Sequence, residues 1–195
     1  MKKALAFAIL LFTYTQSFSQ FASSNISLTF GYPFPVGHNF INKGADVGYT
    51  GIADIGLDYT IFKVNKIDVG ILMNTSFLKF KPADVSLNIL SPKVKVGYTI
   101  QLKKIDIQPQ LAIGYAHFSF DGSEYNYKEN TGGLAAKAST KIILKSNKKI
   151  NYYLSLAYEF NKIGELTPDA SGTNFNRNIQ FISPGVGILW KFSRI

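Results

Sequence analysis

The sequence predicts an all-β chain folded as an eight-stranded antiparallel up-and-down transmembrane β-barrel. Three observations carry this. Eight stretches alternate apolar and polar residues, the period of a strand with two unlike faces. The chain opens on Met1-Lys2-Lys3, followed by an unbroken apolar run from Ala4 to Phe12. It closes on another alternating stretch, Val186-Gly187-Ile188-Leu189-Trp190-Lys191-Phe192.

The apolar run after the basic start is too short for a spanning helix, which needs about 20 residues. Ser17 and Ser19 put small residues at the −3 and −1 positions of a cleavage site before Gln20. Residues 1–19 are therefore expected to be a secretory signal peptide, and 20–195 one β-barrel domain. The alternative, a buried N-terminal helix, finds nothing helical to pack against. Beyond Gln20 no apolar stretch approaches helix-spanning length. There is no cysteine, which excludes disulfides, thiolate metal sites and a lipid-anchored N-terminal cysteine. No cofactor is expected. Backbone hydrogen bonds and packing must hold the fold, and a closed barrel leaves no unpaired edge.

The predicted strands are 25–32, 49–62, 66–80, 91–102, 105–120, 133–145, 150–163 and 178–192. Most match or exceed the roughly 9–11 residues of a tilted membrane strand. The connections alternate between tight turns (63–65, 103–104, 146–149) and longer loops (33–48, 81–90, 121–132, 164–177). Barrels of the outer membrane pair short periplasmic turns with longer extracellular loops. An even strand count then puts both mature termini in the periplasm of a Gram-negative-type bacterium.

The phase holds along each strand. Ile55, Leu57, Tyr59 and Ile61 oppose Asp54, Gly56, Asp58 and Thr60. Val94, Val96, Tyr98, Ile100 and Leu102 oppose Lys93, Lys95, Gly97, Thr99 and Gln101. Tyr152, Leu154, Leu156, Tyr158 and Phe160 oppose Asn151, Ser155, Ala157, Glu159 and Asn161. A polar face rich in glycine suits the narrow interior of eight strands. A soluble barrel with the apolar face inward would show the same period. Tyr and Trp near the strand ends, placed as interfacial girdles, favour lipid outside.

The formal net charge is +9. Its positions exclude the nucleic-acid reading, since no basic face with interleaved stacking aromatics is present. Lys63, Lys66, Lys103, Lys104, Lys145, Lys148 and Lys149 sit in the short turns, where long basic side chains reach lipid phosphates.

With these strands, leader and final aromatic strand, the chain resembles the small outer-membrane protein β-barrel domain family, of the OmpX and OmpA-transmembrane type. The resemblance covers the mature chain and implies an outer-membrane location among phospholipid and lipopolysaccharide. Its strongest local piece carries Val186, Ile188, Trp190 and Phe192, which it implies are read by the barrel-assembly machinery. Ser193-Arg194-Ile195 follow the final aromatic here, whereas the family commonly ends on it.

The inner-face charges are Asp54, Asp58, Asp68, Lys93, Lys95, Lys137, Lys141 and Glu159. Lys137 and Glu159 are equidistant from Lys148, so a hairpin sets them side by side. The expected role is a lumenal charge network, and the alternative is a narrow small-solute channel. No metal site is expected: His38 has at most Asp46 nearby, and a site needs several converging ligands.

His117-Phe118-Ser119 puts a base and a hydroxyl on one face of a strand. Lipid A deacylase barrels have a similar His-x-Ser at a lipid-facing rim. That resemblance implies His117 as base, Ser119 as nucleophile, and Glu124 or Glu129 as the orienting acid. Its motif continues with asparagine, where this chain has Phe120. The expectation is a rim histidine in a non-enzyme. Tyr125, Asn126, Tyr127, Asn130, Asn174, Phe175, Asn176 and Arg177 lie in two of the long loops. Exposed aromatics with amides suit an extracellular protein or glycan ligand. Adhesion or an envelope-structural role is therefore the expected function.

Overall fold

The computed structural model describes residues 24–37, 41–42, 48–80, 84–122, 127–146, 149–163 and 178–192. Its long strands are β1 (Asn25–Gly31), β2 (Tyr49–Val64), β3 (Ile67–Phe80), β4 (Val85–Tyr98), β5 (Ile105–Gly122), β6 (Tyr127–Leu144), β7 (Ile150–Ile163) and β8 (Asn178–Lys191). Each pairs antiparallel with the next. β1 also pairs with β8, from Asn25 opposite Lys191 to Gly31 opposite Gly185, and so closes a ring of eight. Two-residue strands, Phe34–Pro35 and Ile100–Gln101, attach to β8 and β5.

The apolar face points outward through the lower two-thirds of the wall. Leu111 is 69% exposed and Leu156 57%, while Asp58 and Lys95 opposite that face are 1% exposed. Two register shifts in β2, between Gly51 and Ala53 and between Thr60 and Phe62, bracket the segment that keeps Asp54 and Asp58 inward. This arrangement satisfies every requirement of hydrocarbon: paired backbone, no edge, apolar exterior. Leu156→Arg is therefore expected to cost about 2–4 kcal/mol in an unfolding titration in lipid vesicles, and arginine at a strand end much less. Wild-type stability for Leu156→Arg would reverse the inside and outside assignments.

Two connections differ from the expected loops. β4 begins at Val85 rather than 91, and β5 and β6 run on to Gly122 and from Tyr127. This leaves only 81–84 and 123–126 between the paired strand ends Phe80 and Val85, and Gly122 and Tyr127. Asp84 takes a positive φ of 47° in the first, and Asn65 takes 56° in the turn between β2 and β3; short polar side chains tolerate that region best after glycine. Seventeen residues between β1 and β2 and fourteen between β7 and β8 remain outside the long strands.

These extensions differ from the expected loops because the polarity of the wall inverts there. Lower down, outward cross-strand rows are Val96–Leu111–Ala138 and Val94–Ile113–Ala136. Higher up they become Asn88–Ser119–Asn130 and Ser86–Asp121–Lys128. The inward residues change in the opposite sense. Leu78, Leu87 and Phe120 share a row and Ile89 opposes Phe118, all at most 2% exposed. They pack with Ile41, Ala116, Ala135, Ile163, Ile179 and Phe181. Apolar inside and polar outside is the arrangement a barrel in water requires. β5 and β6 have 18 residues each, roughly 60 Å of strand, and about half that crosses a bilayer. The upper wall is thus built for water and the lower wall for lipid.

Candidate functional site

The interior below the apolar cluster is a ladder of charges in three tiers. In the upper tier Glu159 pairs with Lys137 at 2.8 Å and with Lys93 at 3.3 Å. Lys137 and Glu159 are directly opposite across β6 and β7. Lys93 also donates to Ser91 Oγ at 2.5 Å. Asp54 lies 3.9 Å from Lys137 and accepts from Ser76 Oγ at 2.7 Å, Ser183 Oγ at 2.8 Å and Asn74 Nδ2 at 3.2 Å.

In the middle tier Asp58 takes two lysines. Lys141 donates to it at 2.7 Å, and Lys95 pairs with its other oxygen. Lys141 also reaches Ser27 Oγ at 2.7 Å, and Lys95 reaches Thr60 Oγ1 at 2.9 Å. Tyr153 lies inward here, its ring 5.0 Å from the Lys141 ammonium and its hydroxyl 2.6 Å from Thr29 Oγ1. In the lower tier Asp68 accepts from Gln108 at 2.6 Å and Thr99 at 2.7 Å, and pairs with Lys63 at 3.4 Å.

Each of Asp54, Asp58, Asp68, Lys93, Lys95, Lys137, Lys141 and Glu159 is at most 9% exposed. Burying a charge is costly unless it is paired, and each of these has an ion-pair partner. All eight long strands contribute a side chain, so the ladder braces the ring from within. An ion moving through would have to break these pairs and then cross the apolar cluster above them.

Several partners lie outside the charges that the sequence singles out: Ser27, Thr60, Asn74, Ser76, Ser91, Gln108, Ser183, Tyr153, and Gln110, whose amide donates to Gln108 Oε1 at 3.2 Å. Their signal was their inward phase alone, which a serine shares with any lumenal filler. Tyr153 had one more. It is opposite Gly187, and a Cβ on Gly187 would fall 2.2 Å from the tyrosine ring. The ring fits only because that glycine has no side chain.

His117 and Ser119 both face outward at the level where the polarity inverts. The groups beside them are Leu90 and Gly132 for His117, and Asn88 and Asn130 for Ser119. Glu129 is opposite Phe120, so it lies on the inward face, away from His117. Glu124, His38, Asp46 and the loop residues Tyr125, Asn126, Asn174, Phe175, Asn176 and Arg177 lie outside the described residues, as do the leader and Ser193-Arg194-Ile195. Among the described residues no group of three His, Asp or Glu side chains converges as a metal site would. Val186 and Phe192 are exposed on the outer wall, with Ile188 and Trp190 half-buried between them.

Charge is distributed unevenly along the barrel axis. At the turn end the described residues include Lys63, Lys66, Lys103, Lys104, Lys145, Lys149 and Lys191, with Asp68 and Asp106 as the acids. At the loop end Lys79, Lys128 and Lys162 are balanced by Asp84, Asp121 and Glu129. Lys79 pairs with Asp84 there, and Lys128 lies 3.9 Å from Asp121.

A closed eight-strand ring with an apolar outer band and a polar, side-chain-filled interior defines the class: a small transmembrane β-barrel of the outer-membrane type. The solved structures it resembles are of that class. Neisserial surface protein A superposes with a TM-score of 0.57 at 13% identity, over 87% of this chain and 97% of that one. Ail, the attachment invasion locus protein of Yersinia pestis, gives 0.53 at 11% identity, over 88% and 99%. Ail in complex with the heparin analogue sucrose octasulfate gives 0.51 at 11% identity, over 88% and 99%. No family model and no curated protein matches the sequence.

Proposed function

We propose that the protein is a non-enzymatic outer-membrane barrel that presents its loop end to an extracellular protein or glycan. The polarity inversion carries this reading. The tall hairpins β3–β4 and β5–β6 share a packed apolar core with the upper ends of β7 and β8, and a wall built for water must stand clear of the hydrocarbon. Such a head presents its upper strands for contact and obstructs transport, because Phe118, Phe120 and Phe181 fill the space above the charge ladder. The loop end is then extracellular, and both mature termini, after removal of the leader, are periplasmic.

The similar structures support an attachment role by analogy of fold alone. The balanced charge of the described loop end favours an uncharged glycan or a protein over a sulfated polyanion. The described carboxylate that shares the outward face with His117 and Ser119 is Asp121, which lies 3.9 Å from Lys128 and stands four residues, roughly 13 Å of strand, from His117; this separation supports a non-enzyme.

The test compares cells carrying the full chain with cells in which 120–129 is replaced by a two-residue turn. Binding to a panel of immobilised host proteins and neutral glycans should be present in the first and lost in the second, with heat-modifiable migration retained in both. In planar bilayers the purified protein should pass no resolved current. Discrete conductance steps, or binding that survives the shortened hairpin, would refute the proposal.

A further inference from the structure

We propose that the outer wall holds one phospholipid with an anionic headgroup, on the side of the membrane that faces the short turns. Its acyl chains lie in a groove across β4 to β7, and its phosphate sits against Lys66, Lys103 and Lys104. This site is independent of the loop-end reading.

A groove of about 770 Å³ crosses the apolar band. Ile67 and Tyr98 line it beside the short turns, and Tyr158 and Ile182 line it further up the wall. Ala138 and Thr140 make its floor low, between the taller Leu111 and Leu156. In hydrocarbon such a depression is filled by whatever apolar chain is available, and the dispersion contacts reward a chain that conforms to it.

Lys66 stands at the lower mouth of the groove, next to the lining residue Ile67, and Lys103 and Lys104 lie in the turn five residues beyond the lining residues Tyr98 and Pro109. Lys66 precedes Ile67, and its carbonyl accepts the Thr99 N–H at 2.7 Å. That bond ties the Lys66 turn to the connection bearing Lys103 and Lys104. Two nearby lysines are already engaged: Lys63 with Asp68, and Lys145 with Asp106 at 3.0 Å and the Leu102 carbonyl at 2.5 Å. Lys66, Lys103 and Lys104 are exposed and make no ion pair among the described residues. All three belong to the short-turn end of the wall, and a lysine at such an end extends its stem along the wall and its ammonium to phosphate.

The combination selects the occupant. A soluble anion would satisfy the lysines and leave the groove unused. A second copy docked groove to groove about a two-fold axis would set two such lysine clusters close together, which like-charge repulsion opposes. An anionic diacyl lipid satisfies both parts at once.

Native mass spectrometry of the folded protein, released from detergent with added lipid, tests this. Phosphatidylglycerol should bind about tenfold more tightly than phosphatidylcholine, with one lipid per barrel at the lowest concentrations. The triple variant Lys66→Gln/Lys103→Gln/Lys104→Gln should lose that preference, while Lys79→Gln/Lys128→Gln/Lys162→Gln at the loop end keeps it. Ala138→Phe, which fills the groove from an outward position, should weaken both lipids alike. Millimolar inorganic phosphate should not displace the lipid. Equal binding of the two lipids, a preference that survives in the turn-end triple variant, displacement by phosphate alone, or a dimer broken by Ala138→Phe would each overturn the proposal. Heat-modifiable migration shows that every variant compared is folded.

Discussion

Glu159→Gln is expected to destabilise the barrel by about 3–5 kcal/mol in urea titrations in lipid vesicles, because it breaks a buried ion pair from one side. Glu159 is fully buried and is the near counter-charge of two lysines, Lys137 at 2.8 Å and Lys93 at 3.3 Å. Without it the upper tier holds two ammonium groups and one carboxylate. That carboxylate, Asp54, is 3.9 Å from Lys137 and already accepts from two serines and an asparagine. Lys93 keeps only Ser91. Adding Lys137→Met removes one stranded charge and should restore part of the loss, leaving a coupling of at least about 1 kcal/mol in the double-mutant cycle. A coupling indistinguishable from zero would mean that water screens the pair and that the ladder is not a brace.

The second large effect is expected at Phe118. Its ring is fully buried in the apolar cluster at the loop end, opposite Ile89. Phe118→Ala should cost about 3–5 kcal/mol, the usual range for emptying an aromatic site in a packed core. His117, one residue earlier, faces outward, and its replacement by alanine should stay within about 1 kcal/mol. The loss at Phe118 should also appear locally, as faster proteolysis of the β5–β6 hairpin with the membrane-embedded wall still protected. If Phe118→Ala were as mild as His117→Ala, the upper interior would not be a packed core. The reading of the loop end as a packed head would then fall with it.

Strand existence and the lipid-facing phase were legible from residues such as Leu111, Leu154 and Leu156, because a period of two survives in any one strand read alone. Lys137 and Glu159 were also legible as neighbours, since a hairpin with a known turn sets cross-strand partners by counting. The first residues of β4 were not legible. Val85, Leu87 and Ile89 alternate with Ser86 and Asn88 as a strand should. Their apolar members lie on the face that lower down carries Lys93 and Lys95. Read against one fixed label for the apolar face, such a segment looks out of phase and is taken for loop.

Eight strands, their order, and which face of each meets lipid are therefore local information. Each follows from side-chain alternation and turn length, quantities that neighbouring residues settle among themselves. The tertiary structure alone decided the rest. Asp58 is shared by Lys95 and Lys141, 37 and 83 residues away in sequence, and only ring closure brings three strands to that point. The height at which the wall passes from lipid to water is likewise a property of all the strands together. So is the apolar groove at Ala138, which side chains of six strands line. Strand tilt and register set both across the ring, and no single strand carries that information.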